Sequence, residues 1–178
     1  MPLFSGPTRD SSIRTTLIPG DIDSIIHLHR TTYAIEYGFN QSFADYVARP
    51  LTQLERARNQ PGAERDCLWI AEKAGGLAGC IAIVRSSDQE AQLRWFLVDP
   101  QARRQGLGGS LLRQALDFCA VAGYLSVYLW TVQALTSASR LYRAAGFVKV
   151  EERHGKPWGV PVVEEKYQLD LDQKTPAN

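Results

Sequence analysis

From Leu97 to Leu112 the chain reads Leu-Val-Asp-Pro-Gln-Ala-Arg-Arg-Gln-Gly-Leu-Gly-Gly-Ser-Leu-Leu, where a strand end, an arginine-bearing turn and a glycine cluster run straight into a helix. Backbone N–H groups at a helix N-terminus, with its positive dipole end, attract anions, and Gly106, Gly108 and Gly109 let a phosphate approach the main chain with no Cβ in the way. Between Arg94 and Arg113 stand four arginines and one aspartate, a local charge of +3 in a chain whose total is +1. Cationic charge is concentrated where a phosphate would bind. Two nucleotide motifs fail here. A Walker A loop needs Gly-Lys-Ser/Thr, and no lysine follows these glycines; a dinucleotide fingerprint needs Gly-x-Gly-x-x-Gly, and Leu111 holds the third position.

The elements around this turn follow from periodicity. Ile13 to Ile18 reads as a first strand, ended by Pro19-Gly20. From Asp21, an expected N-cap, Ile22, Ile25, Ile26, His29 and Tyr33 form one buried helix face that ends near Gly38. A second helix over Ser42 to Arg58 is expected to be interrupted by Pro50. Cys67 to Lys73, Leu77 to Arg85 and Ala91 to Val98 read as an antiparallel meander. After Gly106, Leu107, Leu111, Ala115 and Cys119 step along a buried helix that Gly123 stops. Ser126 to Thr131 is a strand, Ala138 to Ala145 a short helix ended by Gly146, and Phe147 to Glu151 and Val162 to Leu169 the last two strands.

Composition narrows the function classes. Hydrophobic residues make up 44% and charged residues 22%, the proportions of a folded soluble domain, and the near-neutral total argues against nucleic-acid coating. No apolar run reaches the ~20 residues that span a bilayer. Cys67, Cys80 and Cys119 are an odd number, widely spaced and without a Cys-x-x-Cys pair, so they read as reduced thiols in a cytoplasmic protein with no metal site. His29 shares the isoleucine stripe and reads as packed; His154 reads as a surface-loop residue. The ends, 1–12 and 172–178, are polar and aperiodic and are expected to be loose.

Arg103-x-x-Gly106-x-Gly108, together with Ala138-x-x-Leu-Tyr-x-x-x-Gly-Phe147 downstream, resembles the signature of the GCN5-related N-acetyltransferases (GNAT). Thr32 to Phe39, Leu93 to Gly109 and Leu129-Trp-Thr131 look like the acetyltransferase half of bacterial proteins fused behind a MarR-type regulator. The expectation here is one acetyltransferase domain over 13–171, with no regulator ahead of it. The resemblance implies an α/β (α+β) fold: a mixed, mostly antiparallel sheet of about seven strands, helices on both faces, and a splayed parallel strand pair at the cofactor site. It implies acetyl-CoA as cosubstrate, an amine of a small molecule or protein as acceptor, direct transfer, and a possible homodimer. Residue by residue, the main chain of Phe96, Leu97 and Val98 faces the pantetheine and thioester. Amides from Arg103, Arg104, Gln105, Gly106, Leu107, Gly108, Gly109 and Ser110 hold the pyrophosphate. Tyr142, whose spacing alone suits a packed helix stripe, becomes the proton donor to the thiolate and a cofactor contact. Leu135 stands where many relatives carry Asn, and Gln92 where some carry a Glu base. Glu36, Glu90 or water is left as the base, with an acyl-CoA-binding module without turnover as the alternative function.

Overall fold

The computed structural model describes residues 11–171; of the segments expected to be loose, 1–12 and 172–178, all but Ser11 and Ser12 lie outside that range, and those two belong to a strand. One seven-stranded sheet runs in the order β1-β2-β3-β4-β5-β7-β6. Its strands are β1 (Ser11–Arg14), β2 (Cys67–Lys73), β3 (Gly76–Arg85), β4 (Glu90–Val98), β5 (Ser126–Val132), β6 (Val148–Gly155) and β7 (Val162–Asp170), and all neighbours are antiparallel except β4 and β5. Helices α1 (Asp21–Tyr37) and α2 (Gln41–Ala57) cover one face, and α3 (Leu107–Val121) and α4 (Thr136–Ala144) the other. The mixed, mostly antiparallel α/β architecture expected from the resemblance is the one observed. No described helix is long and apolar enough to cross a membrane.

Each face has its own apolar core. Leu107, Leu111, Ala115 and Cys119, the stripe read from the sequence, are buried against Ile81, Ile83, Leu93 and Val127. On the other face Ile25, Phe43, Val47 and Leu51 pack against Ile70, Cys80, Ala82 and Leu97. The strand β4 changes sides partway along. Ala91 and Leu93 belong to the α3 core, whereas Trp95 and Leu97 belong to the α1–α2 core. A two-residue repeat switches faces only if a residue is inserted, and the β3–β4 register shifts between Cys80 and Ala82, with Trp95 at φ 47°. This bulge turns Phe96 and Val98 toward the α3 side.

Several local expectations are corrected. The first strand covers Ser11–Arg14 rather than Ile13 to Ile18, and it pairs with Ile70 to Lys73 of β2. Asp21 is not the N-cap of α1. Gly20 is, at φ 93°, and the Asp21 carboxylate instead accepts the Ile18 N–H at 2.7 Å and two bonds from Arg14 at 2.8 Å. The second helix runs unbroken through Pro50, because the buried stripe Phe43, Val47 and Leu51 holds both halves to the sheet. The sixth strand extends to Gly155, well past Glu151, although every residue in it is exposed. Pairing with β7 along its length supplies what burial does not.

Arg14 also bonds Glu72 at 2.9 Å and so ties β1, β2 and the start of α1 together. Burial of Asp21 works against its charge, but the Arg14 and Ile18 bonds prevail and hold the carboxyl below its ordinary range. A depressed carboxyl pKa contributes stability that is present at neutral pH and lost as pH falls through that lowered value. Replacing Arg14 by Ala therefore destabilises the fold by about 2 kcal/mol at pH 7. Chemical denaturation across pH should show wild type and variant converging in acid; a constant gap would refute the assignment.

Candidate acetyl-transfer site

Strands β4 and β5 are parallel and pair only where Glu90, Ala91 and Gln92 meet Ser126, Val127 and Tyr128. Beyond Gln92 they diverge, and the β4 edge from Leu93 to Val98 has no strand beside it on that side. The turn that follows is tightly built. Asp99 donates its N–H to Ala78 O at 2.9 Å and accepts the Gln101 N–H on its carboxylate at 2.7 Å. Arg104 at φ 63° and Gly106 at φ 78° then swing the chain into α3. The opening amides of α3 have no carbonyl one turn back to bond, so they point out of the helix end. An added Cβ on Gly108 would stand 3.3 Å from Leu141 Cδ1 and 3.5 Å from Phe96 Cζ, so the glycine keeps a narrow floor open between β4, α3 and α4.

A cleft of about 440 Å³ lies over this floor, lined by Phe96, Leu97, Val98, Arg103, Arg104, Gly106, Leu107, Gly108 and Gly109. These nine expected cofactor residues are brought together. Three others are not among its walls. Gln105 turns away, its side-chain oxygen accepting from Lys73 and its amide donating to Gln101 O at 3.4 Å. Ser110 is fully buried beneath the helix end, its N–H on Gly106 O at 3.0 Å and its hydroxyl without a partner among the described residues. Tyr142 faces the next cavity instead. Arg103 is already engaged: its Nε donates to Val98 O at 3.2 Å, and its two terminal nitrogens donate to Glu36 at 2.8 and 3.1 Å.

The same pairing defines the surroundings of Glu36. It sits on the cofactor side, with both carboxylate oxygens occupied by a guanidinium.

A second cavity opens on the other side of the splay, between β4, β5 and the aromatic side chains of α1 and α2. Tyr33, Phe96 and Leu135 line both cavities, so the two meet at the β4 edge. Tyr142 stands at this junction, 4% exposed, its ring 5.9 Å from Phe96 and 5.8 Å from Phe147. Burial, then the neighbouring Tyr33, pushes its phenol well above the ordinary value of 10. His29 also lines the cavity, and burial pulls it down to about 4, so it stays neutral while Ile25 O bonds its Nδ1 at 2.9 Å.

The 157–159 loop, whose role the sequence leaves open, is fixed as a wall of this cavity. Asn40 donates its N–H to Trp158 O at 3.1 Å and Ser42 its hydroxyl to Pro157 O at 3.0 Å. Gly159, at φ 85°, passes so near Asn40 that a Cβ would fall 2.7 Å from its side-chain nitrogen. Trp158 then packs on Phe39 and Phe43, with ring centroids 4.8 and 5.1 Å away. Leu135, in the place of an expected Asn, leaves α4 without a side-chain cap. Of the three carboxylates near the splay, Glu36 faces the cofactor side and Glu90 neither cavity; Glu164 of β7 lines the second one. Sequence reading missed it, the only signal being that it alternates with the buried Glu165.

Comparison with known proteins agrees with this geometry. Residues 64–149 match the family model of the acetyltransferase (GNAT) domain. The chain is 35% identical over 91 residues to N-acetyltransferase family 8 member 3 of Rattus norvegicus, covering 48% of this chain and 40% of that protein. With N-acetylaspartate synthetase of Xenopus tropicalis it shares 34% over 101 residues, 55% of this chain and 36% of the relative. It thus spans less than half the length of these relatives. An acetyltransferase from Streptococcus agalactiae has the same fold, with a TM-score of 0.71 at 18% identity over 92% of this chain and 100% of that one. So does yncA, a putative acetyltransferase from Salmonella typhimurium solved with acetyl-CoA, with a TM-score of 0.71 at 19% identity over 95% of this chain and 98% of that one. The matched stretch includes the glycine turn, both strands of the splay and the Tyr142 helix, and it is this stretch, 64–149, that is similar to the acetyltransferase (GNAT) domain.

Proposed function

We propose that this chain, as a single domain over 13–171, transfers the acetyl group of acetyl-CoA to an amine by direct attack. The observation that carries the reading is the continuity of two cavities: an arginine-flanked helix N-terminus opens onto an unpaired strand edge, and that edge leads to Tyr142. The Gly108 floor fits an extended ligand, since a side chain there would fill it. The first-turn amides of α3 with Arg103 and Arg104 hold the pyrophosphate. The main chain of Phe96 to Val98 pairs with the pantetheine arm as an added strand would, Arg103 releasing the Val98 carbonyl as it does so.

When bound, acetyl-CoA supplies a thioester whose C–S bond breaks as the C–N bond to the amine forms. The protein's share is position and proton handling. Aromatic walls exclude water from the junction. The Tyr142 hydroxyl holds its proton until a thiolate, itself made more basic by the same desolvation, takes it. The names of the relatives, an N-acetyltransferase and an N-acetylaspartate synthetase, support amine acetylation. Three unpaired cysteines, two buried and all with thiols pushed up to about 11 or 12 by burial, support a reducing, cytoplasmic setting.

Two variants separate binding from turnover. Tyr142→Phe should lower kcat on the order of 10²-fold while the acetyl-CoA Kd measured by calorimetry stays within about threefold. Unchanged kcat would remove Tyr142 from the chemistry, and absent thiol release across an amine panel would leave only a binding module. Gly108→Ala should weaken acetyl-CoA binding about tenfold with the Tm unchanged or raised, because glycine is the poorer helix former by roughly 1 kcal/mol. A Kd that does not move would show that the floor is not the cofactor's path.

A further inference from the structure

Two charges in the second cavity are unmatched. Arg94 follows the last shared rung of β4 and β5 and precedes the bulge at Trp95, so it projects toward the α1–α2 face together with Gln92. Its guanidinium carbon lies over aromatic rings, 4.7 Å from the Trp95 centroid and 6.0 Å from that of Tyr46. Among the described residues no carboxylate pairs with it. Glu164 is half-buried on β7, between Val132 of β5 and Arg153 of β6, and among the described residues no cation forms an ion pair with it. Neighbouring cations are engaged elsewhere. Arg153 is bonded to Glu151 and lies over the Trp130 ring, Lys166 lies over the Tyr128 ring, and Lys149 bonds Glu152 and Glu165.

A guanidinium and a carboxylate that line one cavity without reaching each other complement a molecule carrying both opposite charges. Each is partly desolvated, and an unpaired charge in that setting is unfavourable until a counter-charge arrives. The guanidinium fork matches a carboxylate bidentately; a carboxylate receives an ammonium. The remaining walls are aromatic, Phe43, Tyr46, Trp130 and Trp158 among them, and suit an apolar group. The cavity measures about 100 Å³. At roughly 10–15 Å³ for each water-sized position, that is on the order of seven to ten non-hydrogen atoms, the size of one apolar amino acid.

We propose that the acceptor is a free α-amino acid with an apolar side chain, its carboxylate received by Arg94 and its ammonium by Glu164. The proposal rests on the acetyl-CoA-dependent reading above. Glu164 takes one proton from the ammonium, leaving a neutral amine near the β4 edge. The nitrogen then forms its bond to the acetyl carbon as the C–S bond breaks, Tyr142 gives its proton to the thiolate, the proton shed by the new amide nitrogen returns to the Tyr142 oxygen, and Glu164 releases its own to solvent. A polyamine lacks the anion for Arg94, and a dicarboxylate presents a second negative charge to Glu164 or to the aromatic wall, so both are disfavoured.

The test uses matched pairs that differ by the carboxylate alone: L-leucine against 3-methylbutylamine and L-valine against 2-methylpropylamine, each with acetyl-CoA and thiol detection. Wild type should favour the amino acids by at least about 50-fold in kcat/KM. Arg94→Gln should cut that ratio at least tenfold, chiefly through KM for the amino acid, and Arg94→Lys should restore part of it. Thermal denaturation establishes that both variants fold. Equal use of the two members of each pair by wild type, or an equal loss on both in Arg94→Gln, overturns the proposal. Acetylation of carboxylate-free amines alone overturns it too, while leaving the acetyltransferase reading intact. Failure to bind acetyl-CoA overturns both.

Discussion

Two parallel strands held together by only three opposed pairs of residues set the terms for the whole molecule. β4 and β5 share a short hydrogen-bonded stretch and then part, yet each keeps a partner on its outer side, β5 with β7 along its length and β4 with β3 except at the bulge. The separation is therefore stable without being closed. Both cavities exist because of it. One is roofed by the start of α3, which the Asp99 turn delivers to the end of β4, and the other by the aromatic side chains of α1 and α2.

The bulge at Trp95 makes the gap usable from both sides. Without an inserted residue, Leu93, Trp95 and Leu97 would all enter the α3 core and the even positions would face α1. With it, Phe96 and Val98 face the Gly108 floor, and Trp95 becomes the surface on which Arg94 lies. The Cys80 thiol donates to Trp95 O at 3.1 Å, so the irregular backbone is held from the neighbouring strand. One φ of 47° thus decides which side chains line the cleft over Gly108 and which line the cavity beside α1 and α2.

Legibility in the sequence followed the range of the forces involved. The α3 stripe, the glycine turn and the bounds of β2 were plain because each is written in neighbours a few residues apart, and burial confirmed the stripe at Leu107, Leu111, Ala115 and Cys119. Features that depend on partners far along the chain were not. The extension of β6 to Gly155 rests on β7, and its Glu-Arg-His run has no apolar alternation to announce it. Helix α2 passes through Pro50 because of the sheet beneath it. Within the site, Tyr142 was readable from its motif. Glu164 carried no local sign, since only the sheet order brings β7 beside β5 and so beside the acceptor cavity. The engagement of Glu36 by Arg103 joins residues 67 positions apart, and no spacing rule reaches so far.

The bond from Arg103 to the Val98 carbonyl also bears on solubility. An unpaired strand edge in the middle of a sheet, carrying Phe96, Leu97 and Val98, is a template for pairing with an extended polypeptide, and proteins guard such edges with charge and irregular backbone. Here the bulge twists the edge at Trp95, and a guanidinium anchored to α1 through Glu36 covers its last carbonyl. The arginine beside the glycine turn thus places a charge, tied to α1, over the end of an open strand edge, which is one of the ways in which sheets discourage edge-to-edge pairing.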